Sequence, residues 1–270
     1  IKAVISTLGG NDQVTYIKDL PTAPFKNNPK LFFGYSDNTH FENFLWLNDI
    51  PSFYGGALFT QFAEQGEIND FTLKYLKLAL FSSEEVEIES SVNYSDIGLD
   101  WNDPNNLGKS RIYEKNSGWI WNGNLDSEGI TWGGCLESID EMLRNGVTIP
   151  SLKNFDNVIL MTETSEGIPT ADYVHRVYRA LGERGILGRV KGVIVGRPKA
   201  WEFDKQHDTE QKEIYRNDQR EIIKNTFRNY NSTAPIVQNI DFGHTEPQIP
   251  IPFGSKIRLS SVNKKIFLNF

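Results

Sequence analysis

The chain has 270 residues, enough for one large domain or two small ones. Its apolar fraction of 39% and charged fraction of 23% are ordinary for a globular protein, while a formal net charge of −7 argues against a broad basic face for a nucleic-acid polymer. The single cysteine, Cys135, excludes an internal disulfide framework, and no apolar run reaches the roughly 18 residues of a membrane span.

Taken from the start, Ala3–Leu8 reads as a strand that runs into Gly9-Gly10. Because Ile1 already lies at the edge of that strand, further residues are expected to precede it in the whole protein. A second strand, Lys30–Phe33, ends at Gly34, and Asp37–Leu47 follows with Phe41, Phe44 and Leu45 at helical spacing. In LFFGYSDNTHF, Ser36 therefore stands at a strand-to-helix turn. Such a turn projects a hydroxyl out of a sheet and aims backbone N–H groups at a nascent oxyanion. The match to G-x-S-x-G is incomplete, since Asn38 replaces the second glycine. The plainer reading is that Ser36 or Asp37 caps the helix.

Val86–Trp132 is rich in Ser, Asn, Asp, Gly and Trp and lacks helical period. It is expected to be an irregular or β segment joining two lobes. Beyond it, Val158–Met161 forms a bare apolar run closed by Thr162-Glu163. A carboxylate at the C-terminal end of a buried strand sits where α/β sheets build their sites, and it suits the acid member of a triad; capping of the next helix by Glu163 and Glu166 is the alternative. That helix, Thr170–Gly185, carries the stripe Tyr173, Val174, Val177, Tyr178 and Leu181. Val193–Val195 is another buried strand, and Thr209–Tyr230 is a polar helix with one narrow apolar face. His244 follows on the Gly-flanked, Pro-rich loop of DFGHTEPQIPIPFG, where an imidazole can serve proton transfer or simply face solvent. His175, His40 and His207 are less well placed. Lys256–Val262 and Lys265–Phe270 alternate around Asn263-Lys264 and read as a terminal hairpin.

Strands alternating with helices argue for an α/β fold. No metal-ligand spacing, P-loop or dinucleotide fingerprint is present, so no metal or organic cofactor is expected.

The segments ISTLGGND, KLFFGYSDNTHF, WGGCLESID, ILMTETSEGIPTADYVHRVYRALGERG, VKGVIVGRP and DFGHTEPQIPIPFG together resemble the LD-carboxypeptidase family of serine peptidases. The resemblance covers nearly the whole chain, in the family's order. It implies a parallel-sheet nucleophile domain over 1–85, shortened at its N-terminus, a linker and substrate loop over 86–118, and a mixed α/β or β-rich domain over 119–270. It also implies a Ser-His-Glu triad of Ser36, His244 and Glu163, an oxyanion hole from the backbone of Asp37 and of Gly10 or its neighbour, a cytoplasmic homodimer, and no membrane partner. The stretches LDWNDPNN, WIWNG, TWGGC and GRP are most similar to the microcin C immunity branch of that family. That branch implies cleavage of a peptidyl- or aminoacyl-nucleotide, with Trp101 as a clamp for the base. Arg197 in GRP can pair a substrate carboxylate or phosphate, or it can salt-bridge to a neighbouring acid. The alternatives are release of D-alanine from muropeptide tetrapeptides, and a non-catalytic α/β module that binds a peptide or nucleotide. Packing is the competing explanation for Trp101, Trp119, Trp121 and Trp132.

Overall fold

A computed structural model describes residues 1–270. In chain order the elements are β1 (Ala3–Ile5), α1 (Thr22–Asn27), β2 (Leu31–Gly34), α2 (Thr39–Trp46), β3 (Ser52–Tyr54), α3 (Asp70–Phe81), β4 (Glu85–Ile88) and the short pair β5 (Asn93–Tyr94) and β6 (Glu114–Lys115). They continue with β7 (Ile120–Asn122), β8 (Ser127–Cys135), α4 (Leu136–Asn145), β9 (Val158–Glu163), α5 (Ala171–Glu183), β10 (Gly192–Gly196), the pair β11 (Trp201–Glu202) and β12 (Lys205–Gln206), and α6 (Thr209–Arg228). The chain closes with β13 (Ile236–Ile240), β14 (Ile251–Phe253), β15 (Lys256–Ser260) and β16 (Lys265–Asn269).

The strands form two main sheets. The first has the order β1-β2-β3-β14, with β1, β2 and β3 parallel and β14 antiparallel. The second has the order β4-β16-β15-β8-β9-β10-β13-β7. Its centre, β8-β9-β10-β13, is parallel, and antiparallel strands flank it. Parallel strands covered on both faces should be apolar throughout, and every residue of β9 and β10 is buried. The result is a mixed α/β fold of two domains, as expected.

Helix α5 starts where Thr170 Oγ1 accepts the Tyr173 N–H at 3.2 Å, and it buries Val174, Val177, Tyr178 and Leu181. Asp208 and Gln211 form a reciprocal capping box at the start of α6. The terminal hairpin is β15-β16, paired Ile257 to Leu268 and Leu259 to Ile266.

The stretch expected to be an irregular link is more regular than its composition suggests. β4 pairs with β16 at the edge of the second sheet, Ile88 opposite Ile266. Its EVEI alternation is the period of a strand buried on one face, too short to stand out from its neighbours. β8 is central although its SEGITWGGC has no apolar run. In the opposite direction, β14 returns from the C-terminal part of the chain to complete the first sheet against β3. The two domains are therefore interleaved rather than cut at single residues.

Glu42 of α2 is fully buried, and neither carboxyl oxygen has a hydrogen-bond partner. Burial pushes its pKa well above the usual carboxylate value of 4.5. The folded state then holds a proton that the unfolded chain releases above pH 4.5, so stability falls as pH rises from there, by up to about 1.4 kcal/mol per unit. Glu42→Gln removes this slope. Urea unfolding at pH 5 and pH 8 should give the variant an advantage that grows with pH; an equal difference at both values would contradict it.

Candidate active site

The turn that carries Ser36 is built by the end of β2. Tyr35 is extended, and then Ser36 takes the left-handed conformation with φ 64°. A serine is strained there and is held only by its surroundings. A 3₁₀ turn over Ser36–Asn38 leads into α2. Three side chains fix the turn. The Ser36 N–H donates to Tyr54 Oη at 3.1 Å. Asn38 Nδ2 donates to the Leu8 and Tyr35 carbonyls at 3.2 and 3.0 Å. Asp37 Oδ2 accepts the N–H groups of Asp12 and Gln13, both at 3.1 Å. The polar residues after Ser36 thus sew the turn to the loop following β1. In that loop Gly9 lies so close that a Cβ on it would sit 2.8 Å from Ser36 Cβ and 3.0 Å from its Oγ. Only glycine leaves the hydroxyl room.

Glu163 ends β9 and is buried. Its Oε2 meets Nδ1 of His244 at 2.7 Å, and its Oε1 accepts the Tyr54 hydroxyl at 2.5 Å. Gly243 permits this approach, because a Cβ there would stand 2.4 Å from Glu163 Oε2. The His244 ring lies edge-on to Tyr35, centroids 5.0 Å apart, next to the serine. Tyr54 therefore joins both ends of the constellation: it accepts from the Ser36 backbone and donates to the carboxylate that holds His244. Burial and then the charge of Glu163 raise the Tyr54 pKa, which keeps the phenol a donor.

The other imidazole nitrogen, Nε2, stands 3.0 Å from Oε2 of Glu166, a half-exposed residue on the loop after β9. Burial acts to lower the His244 pKa, but the two glutamates outweigh it and raise it to about 10. The same contact with His244 pulls Glu166 down to about 2, against the effect of its own burial. In this arrangement the two glutamates favour the charged imidazole, and its outward nitrogen is occupied.

Ser36, Gly10, Asp37 and Glu166 line one cleft of about 270 Å³. Gly10, with φ 148°, lies beside Asp37, whose Oδ2 would stand 3.4 Å from a Cβ on it. The structure thus brings Ser36, Asp37, Gly10, Glu163 and His244 into one neighbourhood from four separate stretches of sequence.

Trp101 is 55% exposed and meets Phe59 edge-on, ring centroids 6.4 Å apart, over a second hollow of about 250 Å³. Trp119 instead donates its Nε1–H to Asp241 at 3.0 Å, and Trp132 is fully buried against Phe155. Trp121 lies beneath Lys264.

Of the two readings of Arg197, the structure shows the salt bridge to a neighbouring acid, and Arg197 is not among the residues lining the cleft. It is 1% exposed, paired with Asp241 at 2.5 Å, and donates to Thr245 Oγ1 at 3.2 Å. Asp241 also accepts from Ser91 N at 3.1 Å and Ser91 Oγ at 2.6 Å. A GRP turn at the end of a strand looks alike whether its arginine points out or in. Here a buried aspartate five residues after β13 begins pulls it in, so Arg197 braces the loop that carries His244.

Sequence reasoning missed Tyr54 and the Glu166 contact. Tyr54 had no signal, because its role arises only when β3 is laid beside β2. The spacing of Glu166, three residues beyond Glu163, was the available clue. The remaining histidines are structural by contact: His175 Nδ1 meets Thr226 Oγ1 at 2.8 Å, and His207 packs on Tyr215. His40 Nε2 lies 3.1 Å from Glu141 and 3.7 Å from Asp37. These three side chains have their potential ligand atoms within 4.8 Å of one another, but Asp37 is already engaged by two backbone N–H groups, and the set reads as an imidazole bridging two acids. No helix is long and apolar enough to cross a membrane.

The chain is 22% identical over 269 residues to the microcin C7 self-immunity protein MccF of Escherichia coli, spanning 98% of this chain and 73% of that protein. Among solved structures it superposes on an MccF-like protein from Streptococcus pneumoniae in complex with AMP, with a TM-score of 0.86, 24% identity, and coverage of 100% of this chain and 79% of that one. Structures of MccF with glutamyl sulfamoyl guanosine and with aspartyl sulfamoyl adenosine each match at a TM-score of 0.82 and 22% identity, covering 100% of this chain and 76% of theirs. The models of the LD-carboxypeptidase N-terminal and C-terminal domains match residues 1–55 and 128–259, and the chain belongs to that family.

Proposed function

We propose that this protein is a serine hydrolase that cleaves an amide through an acyl-enzyme, with Ser36 as nucleophile, His244 as general base and Glu163 as the carboxylate that orients it. The observation that carries the reading is the 2.7 Å pair of Glu163 and His244, joined through the Tyr54 hydroxyl to the backbone N–H of a serine held at φ 64°. An imidazole fixed through Nδ1 keeps Nε2 for the serine proton, and a strained turn keeps the hydroxyl clear of its own backbone. Oγ attacks the carbonyl while Nε2 takes its proton. The backbone N–H groups of Asp37 and Gly10 receive the oxyanion. His244 then protonates the leaving amine and later activates water.

Before that cycle, Glu166 must leave Nε2. Glu166→Gln removes one of the two charges that raise the His244 pKa, so the neutral base is available at lower pH. The acid limb of the kcat/KM profile is expected to shift downward by about a pH unit or more. An unmoved limb would show that Glu166 does not govern this imidazole.

For substrate we propose a peptidyl- or aminoacyl-nucleotide. The exposed face of Trp101, held edge-on to Phe59, is a ring on which a nucleobase can stack, worth about 1–3 kcal/mol. Relatives of the same fold have been crystallised with AMP and with aminoacyl sulfamoyl nucleosides. Release of D-alanine from a muropeptide tetrapeptide is the second reading, favoured by the family's own activity. The test is competition between an aminoacyl sulfamoyl adenosine and a muropeptide tetrapeptide. Cleavage of the nucleoside is expected, and Trp101→Ala should raise its KM about tenfold or more without altering muropeptide turnover. Cleavage of the muropeptide alone would reverse the assignment.

A further inference from the structure

Tyr54 is fully buried in β3, between β2 and β14, and its hydroxyl makes two hydrogen bonds. It accepts the Ser36 N–H at 3.1 Å and donates to Glu163 Oε1 at 2.5 Å. A buried phenol is satisfied by a single partner. This one has two, and both belong to the site. The ring has little freedom to leave them. Tyr54 stands opposite Gly34 in the β2-β3 register, just before the serine turn, and the Gly55 N–H donates to the Gly34 carbonyl at 2.6 Å. Tyr35 and Phe242 close on the ring edge-on, with centroids 6.3 and 6.1 Å away.

Glu163 is equally confined. A Cβ on Gly196 would lie 2.8 Å from its Cβ, and one on Gly243 2.4 Å from its Oε2. Its carboxylate holds Tyr54 on one oxygen and His244 Nδ1, at 2.7 Å, on the other. Hydrogen bonds to one carboxylate share its charge, so a donor on Oε1 weakens the pull of Oε2 on the imidazolium. Glu163 and Glu166 are the acids that raise His244, and the phenol acts against the first of them. Burial and the charge of Glu163 keep the phenol in its donor form. The neighbouring Cys135 thiol, pushed up by burial, adds no competing anion.

We infer that Tyr54 is a positioning residue with two effects on the reaction: it moderates the hold of Glu163 on the imidazolium, and it keeps the Ser36 N–H turned into the protein, so that the oxyanion is left to Asp37 and the Gly10 loop. The inference rests on the hydrolase reading above. Its second part follows from the donor count, since an N–H given to Tyr54 is not free for a charge developing in the cleft.

Tyr54→Phe removes the hydroxyl and keeps the ring. The probe is a fluorophosphonate, which needs no assumption about substrate. The readout is the second-order rate of adduct formation on Ser36 of the whole protein, followed across the pH range in which His244 titrates. Without its tie to the turn, the peak rate should fall about ten- to a hundredfold. The acid limb should move up by about half a pH unit, because Oε2 then carries more of the charge. A 3-fluorotyrosine placed at position 54 keeps both hydrogen bonds and donates more strongly, since fluorine withdraws electrons from the ring. There the limb should move down. Loosened packing cannot produce shifts of opposite sign, and the fluorinated protein gives the answer even where Tyr54→Phe fails to fold. An unreduced peak rate in Tyr54→Phe, or a limb that moves in any other sense or stays put, would overturn the inference; labelling of Ser36 that still depends on His244 would leave the hydrolase reading standing. Wild-type protein whose Ser36 resists the probe, or takes it up equally in His244→Ala, would remove both.

Discussion

Ser36→Ala is expected to lower turnover by roughly 10⁴- to 10⁶-fold while leaving the fold intact. The substitution removes one oxygen from a half-buried position and introduces no larger group. The main-chain ties of the turn, Ser36 N–H to Tyr54 and the side-chain bonds of Asp37 and Asn38, do not involve Oγ. Alanine meets the same left-handed strain that serine already bears, so the melting temperature should move little. Ligand affinity should be retained. A non-catalytic binding module would show no change in any property, so a loss of less than tenfold in turnover would favour that rival.

Glu163→Gln is expected to cost about 10⁴-fold in kcat. The carboxylate accepts two hydrogen bonds at once, from Tyr54 Oη at 2.5 Å and from His244 Nδ1 at 2.7 Å. A glutamine has one acceptor oxygen and one donor nitrogen in the same outline. If its oxygen faces the tyrosine, its NH₂ faces Nδ1 and forces the imidazole into the tautomer whose proton lies on Nε2. The ring can then no longer accept from the serine. If the amide flips, the tyrosine hydroxyl meets a donor instead. The first arrangement keeps both hydrogen bonds and loses only the tautomer, whereas the flipped amide leaves the Tyr54 O–H without an acceptor, at a stability cost of about 1–3 kcal/mol. The kinetic loss should exceed anything that unfolding explains, because circular dichroism at the assay temperature would still report folded protein. Retention of more than a tenth of the activity would remove Glu163 from the mechanism.

Much of the fold was legible because its centre is built from buried parallel strands and amphipathic helices. β2, β9 and β10 announce themselves as bare apolar runs, and α5 by its stripe and its threonine cap. β4 and β8 did not. One is four residues long, and the other is broken by glycines that its neighbours demand. The glycine, serine, glutamate and histidine of the site were readable as positions at strand ends and turns, where α/β sheets gather their chemistry. Their relations were not. Nothing in the order of residues says that Tyr54 bridges Ser36 and Glu163, since that depends on two strands lying side by side. Nothing local says that Arg197 is drawn inward by Asp241, 44 residues away. Short-range pattern records which side chains reach a sheet's rim; partnership across the rim belongs to tertiary structure.

The central claim is that Ser36 is made nucleophilic by an imidazole anchored on Glu163. A fluorophosphonate reports on this directly, since it phosphonylates only an activated serine and leaves a mass-detectable adduct. Incubation of the whole protein followed by peptide mass spectrometry should find one adduct per chain, on Ser36, and its formation should collapse in His244→Ala. Labelling that persists undiminished without His244, or that falls on another serine, would contradict the account.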